Sequence, residues 1–416
     1  NVAKHLHAGH IRSTIIGHAL HYLYEATGHT AFGMNFINDW GGFGYLMEAY
    51  RRWGDEEKNY QNKNDFLYAL YLRFRTMEKE AENQDGAPFV EFKEKADALF
   101  RDLEAGKSEV VELWEKMVGW SLQDFNRFYD LINIHLDVVD GEAFYARRGN
   151  ALVEEALAAH RATIENEAAV VHVGSDVDFV IRRSDESTIY ATRDLAALEF
   201  RSQEVGAERI VYVVGQEQTD YFARLFKATD ILKIAKPGTV LQHVPFGFYV
   251  SASTKKKLSS REGAQNVISL IESAIDYFAK KYPDLAEADI KKIAVGSITF
   301  NDIKKSRMMP VELDTGNIQK MIQGFEESGA AYVMYAVARA RSIVRKHAGG
   351  VPTMAELSEK GTVAELAPVE TVLLKRIASL ADTIVRAAET NEPSVLAEYL
   401  VRLAQDYNSY YESFPV

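Results

Sequence analysis

Two histidines three residues apart, His7 and His10, stand near the head of the chain with Gly9 between them. Ile16, Leu20 and Leu23 recur behind them at helical spacing, which predicts that His10 lies at or near a helix N-terminus. Backbone N–H groups and the positive end of the helix dipole attract anions there. Gly9 has no side chain, so a flat or charged ligand can approach the backbone closely. Two imidazoles beside such a site can donate hydrogen bonds to a phosphate as charge builds on it. Taken alone, a His-x-x-His pair reads equally well as two surface histidines in a polar loop. Further on, Tyr190 and Asp194 are four apart at a strand-to-helix junction. A carboxylate beside a phenol suits a planar cation such as a guanidinium, bound in a bidentate way; a plain helix cap is the other reading of Asp194. Gln218 closes Gly215-Gln-Glu-Gln218, which follows the strongly β-branched run Arg209–Val214. The basic loop Thr254-Lys-Lys-Lys-Leu-Ser-Ser-Arg-Glu-Gly263 could lie over the phosphates of a nucleotide bound at helix N-termini.

The elements that must position these residues alternate strand, turn and helix, which argues for an α/β fold with a mostly parallel, Rossmann-like sheet. Residues 30–38 read as a buried strand, and Asp39-Trp-Gly-Gly-Phe-Gly44 as a turn at its carboxyl end, where ligands collect in open α/β sheets. From 52 to about 140 the alternation breaks into a helical insertion, in which Val110, Trp114, Met117, Phe125, Phe128 and Ile132 mark one face of a helix. Residues 168–173 and 177–183 read as a hairpin turned by Gly174-Ser-Asp176, residues 195–205 as a helix, and 247–253 as a further strand. Beyond Asn317 the pattern is helical, as in a bundle. Three amphipathic helices are marked by Val333, Val337, Ala340 and Val344; by Leu373, Ile377, Leu380 and Ile384; and by Leu396, Leu400, Leu403 and Tyr407. Gly349-Gly-Val-Pro352 separates the first two. The expected domains are 1–316, with the insertion at about 52–140 and the basic loop at about 254–263, and an all-α domain at 317–416.

Composition narrows the classes. At 416 residues the chain is long for one core. No apolar run reaches membrane-spanning length, so no membrane partner is expected. Zero cysteines rule out disulfides and thiolate metal sites and fit a reducing cytoplasm, and no metal-ligand set is expected. A net charge of −12 means that any nucleic acid must be met by local basic patches. The first residue is asparagine and not methionine; either the chain was processed or an N-terminal portion is missing, and the second is the expectation.

With these residues in view, the chain resembles the class I aminoacyl-tRNA synthetases, and within them the arginyl-tRNA synthetases. His7-Ala-Gly-His10 looks like the class's HIGH signature, with arginyl-type flanks in Asn1-Val-Ala-Lys4 and Arg12-Ser-Thr-Ile-Ile-Gly17. Tyr190-Ala-Thr-Arg-Asp-Leu-Ala196 and Val213-Val-Gly-Gln-Glu-Gln218 resemble two further signatures. Lys257-Leu-Ser-Ser-Arg261 resembles the KMSKS loop, and residues 330–341 the start of the anticodon-binding helices. The resemblance implies ATP-dependent formation of arginyl-adenylate and transfer of arginine to the terminal adenosine of tRNA(Arg). Mg²⁺ would accompany the ATP, and a monomer is expected. On that resemblance Asn1, Glu142, Tyr190, Asp194 and Gln218 match positions that hold L-arginine. His7, Gly9, His10, Lys257 and Ser259 match the ATP site, and catalysis would fall to His7, His10, Lys4 and Lys257.

Several positions depart from the pattern. Ser260 stands where the class usually has lysine, with Lys4 looking like the substitute cation. Glu262 replaces a more usual lysine and His18 a more usual aspartate. The family's N-terminal tRNA-contacting domain and its last helices are not in this sequence. The missing ends and Glu262 motivate a weak or inactive synthetase-like relative as the alternative. A different HxGH nucleotidyltransferase and a non-enzymatic nucleic-acid module are the other rivals.

Overall fold

The computed structural model describes residues 2–6, 8–81, 87–174, 177–184, 188–258, 266–314, 317–346, 353, 355–356 and 365–414. The chain groups into two compact units, Asn1–Leu6 with Phe32–Pro245, and His7–Ala31 with Phe246–Val416.

In the first unit, β1 (Met34–Ile37) pairs in parallel with β2 (Val138–Gly141), from Met34 opposite Val138 to Ile37 opposite Gly141. Parallel neighbours need a crossover, and here it carries the insertion: α2 (Phe43–Trp53), α3 (Lys63–Ala81), α4 (Ala87–Glu104) and α5 (Ser108–Leu131). The apolar stripe expected on α5 is buried as a face, with Met117 at 0% and Phe128 at 1% exposure. Trp114 spends its polar atom: Nε1–H donates to the Asp39 carbonyl at 2.7 Å. β2 is four residues long and half exposed, so nothing in the sequence flagged it. After α6 (Glu142–Ala158), the three-stranded antiparallel sheet β3 (Thr163–Glu165), β4 (Ala168–Gly174) and β5 (Val177–Arg182) contains the expected hairpin; its turn residues Ser175 and Asp176 lie outside the described residues. α7 (Tyr190–Gln203), β6 (Arg209–Gly215), α8 (Thr219–Leu232) and β7 (Val240–Phe246) follow, and β6 pairs with β7. Leu152, Val171, Ile181, Leu195, Leu198 and Leu225 form the heart of one core that joins α6, β4, β5, α7 and α8.

α7 begins five residues earlier than the apolar pattern suggested, at Tyr190. The cause is local. Thr192 Oγ1 accepts the Ile189 N–H at 3.1 Å, half of a capping box, and donates to the Ile181 carbonyl. Asp194 therefore sits in the second turn, and the reading of it as a helix cap is corrected.

In the second unit α1 (Ala8–Ala26) buries Ile11, Ile15, Ile16, Leu20 and Leu23, as their spacing demands. β8 (Tyr249–Ser251) pairs in parallel with β9 (Val311–Leu313) across a crossover made of α9 (Val267–Lys281) and α10 (Glu287–Ile303). Helices Ile318–Glu326 and Ala330–Lys346 come next. The second of the three expected amphipathic helices is two helices, Pro368–Ala378 and Leu380–Glu389. Ser379 breaks it: its backbone leaves helical geometry at φ −83° and ψ 4°, and its hydroxyl donates to the Arg376 carbonyl at 2.8 Å. Ile377 and Leu380 are consequently exposed, and Thr383, Ala387 and Ala388 point inward instead. Helix Ser394–Ser413 closes the described chain, with Pro393 as its N-cap. The separator at 349–352 lies outside the described residues.

Candidate active site

In the first unit, Asp194 is the residue around which the others gather. It projects from α7, and its Oδ2 accepts the hydroxyl proton of Tyr221, which stands on the first turn of α8. Burial pushes its carboxyl up to about 6, the Tyr221 hydrogen bond and the cations Arg201 and Arg193 pull it down, and Glu142 pushes it further up. Tyr190, the first residue of α7, is 56% exposed, and its ring lies 5.1 Å from that of Tyr221. Gln218 is exposed at the cap of α8, three residues before Tyr221. The structure thus brings Tyr190 and Asp194 to the same tyrosine, at the start of the helix that Gln218 opens.

Glu142, at the head of α6, is buried and already spoken for. Asn38 Nδ2 donates to its Oε1 at 2.7 Å, and Arg193 Nε donates to its Oε2. Arg193 also donates to the Thr188 hydroxyl at 3.1 Å. Asp39 lies beside this group: its Oδ1 accepts the Ala143 N–H at 2.9 Å, and burial pushes its carboxyl up to about 6, with Glu142 and Asp140 adding to the rise. A Cβ on Gly141 would come within 2.1 Å of the Asp39 carboxylate, so glycine is what lets that carboxylate reach the start of α6. Asp140 accepts the Tyr145 hydroxyl and faces buried Arg201 at 3.8 Å. The four carboxylates of Asp39, Asp140, Glu142 and Asp194 are electrostatically coupled and meet two guanidiniums, Arg193 and Arg201. The surplus is negative; it adds to the burial that raises the carboxyls of Asp39 and Asp194. A group of this sign takes a cation, and a planar one matches the fork of acceptors.

Lys4 belongs to the same unit. Its ammonium lies over the Tyr71 ring at 4.7 Å, and its segment is tied down: Ala3 N–H donates to Ser121 Oγ at 3.0 Å and Val2 N–H to the Asn38 carbonyl at 3.2 Å. Ala3 takes the left-handed conformation at φ 61°, uncommon for a residue with a side chain. Asn1 lies outside the described residues.

In the second unit, Gly9 and His10 occupy the first turn of α1, half-buried, where the helix dipole is positive; that turn itself holds no acidic residue. The His10 carbonyl accepts the hydroxyls of Ser13 at 3.1 Å and Thr14 at 2.8 Å. Lys257 ends a small hairpin: it bridges Val250 in antiparallel fashion, and its Nζ lies 3.7 Å from the centre of the Phe248 ring. Lys255 pairs with Glu312 at 2.7 Å. His7 and Ser259, with the rest of the loop to residue 265, lie outside the described residues. Among the described residues no group of three or more histidine, aspartate and glutamate side chains could hold a metal ion.

Sequence reading missed Tyr221, Asp39 and Arg193 as members of the acidic group. Asp39 and Arg193 lay within quoted stretches, beside a glycine pair and beside Asp194, but their partners are more than a hundred and about fifty residues away. Tyr221 carried no local signal, since an aromatic on a helix reads first as core.

Comparison with known proteins bears on the family of the whole chain. Residues 1–314 match the family of class I tRNA synthetases (R), catalytic domain, and residues 333–416 match the DALR anticodon binding domain. The chain is 34% identical to arginine–tRNA ligase 1 of Bacillus cereus over 426 aligned residues, covering 99% of this chain and 71% of that protein. It is 35% identical to the arginine–tRNA ligase of Streptococcus pneumoniae, with the same coverage of 99% and 71%. The fold resembles the Plasmodium falciparum arginyl-tRNA synthetase with a TM-score of 0.78 at 20% identity, over 99% of this chain and 68% of that one. For the Thermus thermophilus enzyme the TM-score is 0.77 at 21% identity, over 98% and 72%. Matches to the catalytic-domain family over residues 1–314 and to ligases of this kind along almost the whole length lead to one family: the chain belongs to the arginine–tRNA ligases of the class I tRNA synthetases.

Proposed function

We infer that this chain ligates L-arginine to tRNA(Arg) in two steps. An oxygen of the arginine carboxylate attacks the α-phosphorus of ATP, the bond to the β-phosphate breaks, and pyrophosphate leaves arginyl-adenylate. A ribose hydroxyl of the terminal adenosine of tRNA then attacks the activated carbonyl, loses its proton, and AMP departs. The observation that carries this reading is the acidic surplus around Asp194. The guanidinium of arginine is a planar cation that would balance the remaining negative charge, which a neutral side chain would leave uncompensated.

Asp194 is proposed to take the guanidinium, with Tyr190 covering it and Gln218, Glu142 and Asn1 lining the rest. Because Glu142 is bonded to Asn38 and Arg193, its share is to keep the neighbourhood negative and to position Arg193. His7, Gly9 and His10 are proposed to receive the ATP phosphates, and Lys4, Lys257 and Ser259 to hold the departing pyrophosphate. Chemistry of this kind rests on placement and charge. Mg²⁺ would enter on the phosphates as part of the substrate. We assign activation and transfer to residues 1–316 and tRNA anticodon contact to the helices of 317–416. A monomer acting in the cytoplasm fits this reading, and no described helix is long and apolar enough to cross a membrane.

The test is aminoacylation of tRNA with arginine, lysine and citrulline. Citrulline has nearly the shape of arginine and no charge. Arginine is expected to be charged, with citrulline at least about a thousandfold poorer in kcat/KM, as for a buried polar group left without its partner. Comparable charging of citrulline would overturn the assignment of Asp194.

A further inference from the structure

Within the second unit, a buried polar trio is unexplained by the assignments above. Arg12 on α1 is 0% exposed and Asp302, next to last in α10, is 1% exposed. Arg12 Nε lies 3.4 Å from Asp302 Oδ1, and its Nη2 donates to the Arg307 carbonyl at 3.0 Å. The Tyr249 hydroxyl, on β8, donates to Asp302 Oδ2. The pair is far from saturated: Nε and Nη1 of Arg12 and Oδ1 of Asp302 make no hydrogen bond among the described residues. A buried ion pair of that quality repays little of its desolvation, so stability is a poor account of it.

Its connections are more telling. Arg12 is two residues past His10. The Tyr249 carbonyl accepts the Leu258 N–H at 2.9 Å, and the neighbouring Val250 bridges Lys257. The Arg307 carbonyl that Arg12 binds also accepts the Gly247 N–H at 2.9 Å, two residues before Tyr249. A Cβ on Gly247 would come within 2.4 Å of the Met308 carbonyl, so the backbone just before β8 is pressed against that segment. One buried trio therefore holds both the helix turn that carries His10 and the hairpin that carries Lys257.

We propose that Arg12, Asp302 and Tyr249 are positioning residues that set the first turn of α1 and the Lys257 hairpin in register for ATP activation. The proposal rests on the reading of His10 and Lys257 as phosphate-site residues. It assigns the trio to the transition state of activation and not to arginine binding.

The decisive variant is Arg12→Met with Asp302→Leu and Tyr249→Phe in the full chain, which removes all three polar groups together and leaves no buried charge behind. Its thermal midpoint is expected to equal or exceed that of the parent. With tRNA present, kcat for arginine-dependent ATP–pyrophosphate exchange is expected to fall about 10- to 100-fold, the usual cost of small misplacements. The arginine KM should stay within about twofold. Amide exchange followed by mass spectrometry in peptides spanning 8–14 and 249–258 should quicken in both together. Full kcat in the stable triple variant, or unchanged exchange in both peptides, would overturn the proposal. If the triple variant fails to fold, Asp302→Asn keeps the shape and should lower kcat in the same way, and Arg12→Lys should recover part of what Arg12→Met loses; an arginine KM that rises as much as kcat falls would again overturn it. A parent without exchange activity would sink the ligase reading instead, and the amide-exchange comparison would still decide the trio.

Discussion

Asp194 must be charged to hold a guanidinium, yet its surroundings favour the neutral form. Burial raises its carboxyl to about 6, and the Tyr221 hydroxyl and two arginines are what keep it from rising further. The arginine KM should therefore be flat above about pH 7 and climb about tenfold per pH unit below 6, because the protonated acid cannot pair with the cation. The ATP KM should not follow it. A KM for arginine that stays flat down to pH 5 would contradict the assignment. Tyr221→Phe removes a hydrogen bond that favours the ionised form, so the inflection should move to higher pH. Asp194→Asn should lower kcat/KM for arginine by about a thousandfold or more while ATP still binds. His10→Ala should act on the other substrate's chemistry: about 100- to 1,000-fold in kcat, with a much smaller change in arginine KM. Equal losses in both parameters would argue that His10 serves binding alone.

At the scale of elements, the sequence was most legible where chemistry and periodicity coincide. The helix behind His10, the β6 run ending in Gly215, and the α5 stripe all follow from residues within one or two turns of each other. What escaped was decided at a distance. β2 is a strand because β1 lies beside it across the whole insertion, and four half-exposed residues carry no such message. α7 starts at Tyr190 because Thr192 finds the Ile181 carbonyl on β5. The stripe through Ile377 and Leu380 looked continuous, and a single serine turned it. The acidic group shows the same division: Asp194 and Glu142 could be named, whereas the place of Asp39 beside Glu142 depends on Gly141 leaving room for it. Gly141→Ala tests this directly. An added Cβ meets carboxylate oxygens at 2.1 Å and 2.5 Å, so the start of α6 or Asp39 must move. The variant should lose about 1–3 kcal/mol of stability and raise the arginine KM. Denaturant unfolding and steady-state kinetics check both, and a variant with parental values in each would mean that the approach of Asp39 to Gly141 carries no function.

For the whole molecule, the charge balance poses the sharpest question. The chain carries a net charge of −12, while its proposed substrates are a cationic amino acid and two polyanions. Arginine should be favoured by the overall field, and ATP and tRNA must be met by local cations such as Lys4, Lys257 and the arginines of helix Ala330–Lys346. Raised carboxyls make this visible in stability. Asp39 and Asp194 titrate near 6 in the fold and near 3.8 when exposed, so the folded state binds more protons between those values. Their contribution is fully present below about pH 4 and is lost as pH rises through about 6. Surface carboxylates paired with cations, such as Glu56 with Arg73, shift the opposite way, so the net profile of the free protein mixes both signs. The increment produced by arginine removes that mixture, since the paired surface groups do not touch the ligand. A ligand at a hundred times its Kd adds about 2.7 kcal/mol to stability, and here Kd itself depends on the ionised form of Asp194. Arginine should therefore raise the thermal midpoint clearly at pH 7.5 and much less at pH 5, and citrulline should raise it at neither. An arginine increment equal at both pH values would place the ligand somewhere other than against a carboxylate that titrates near 6.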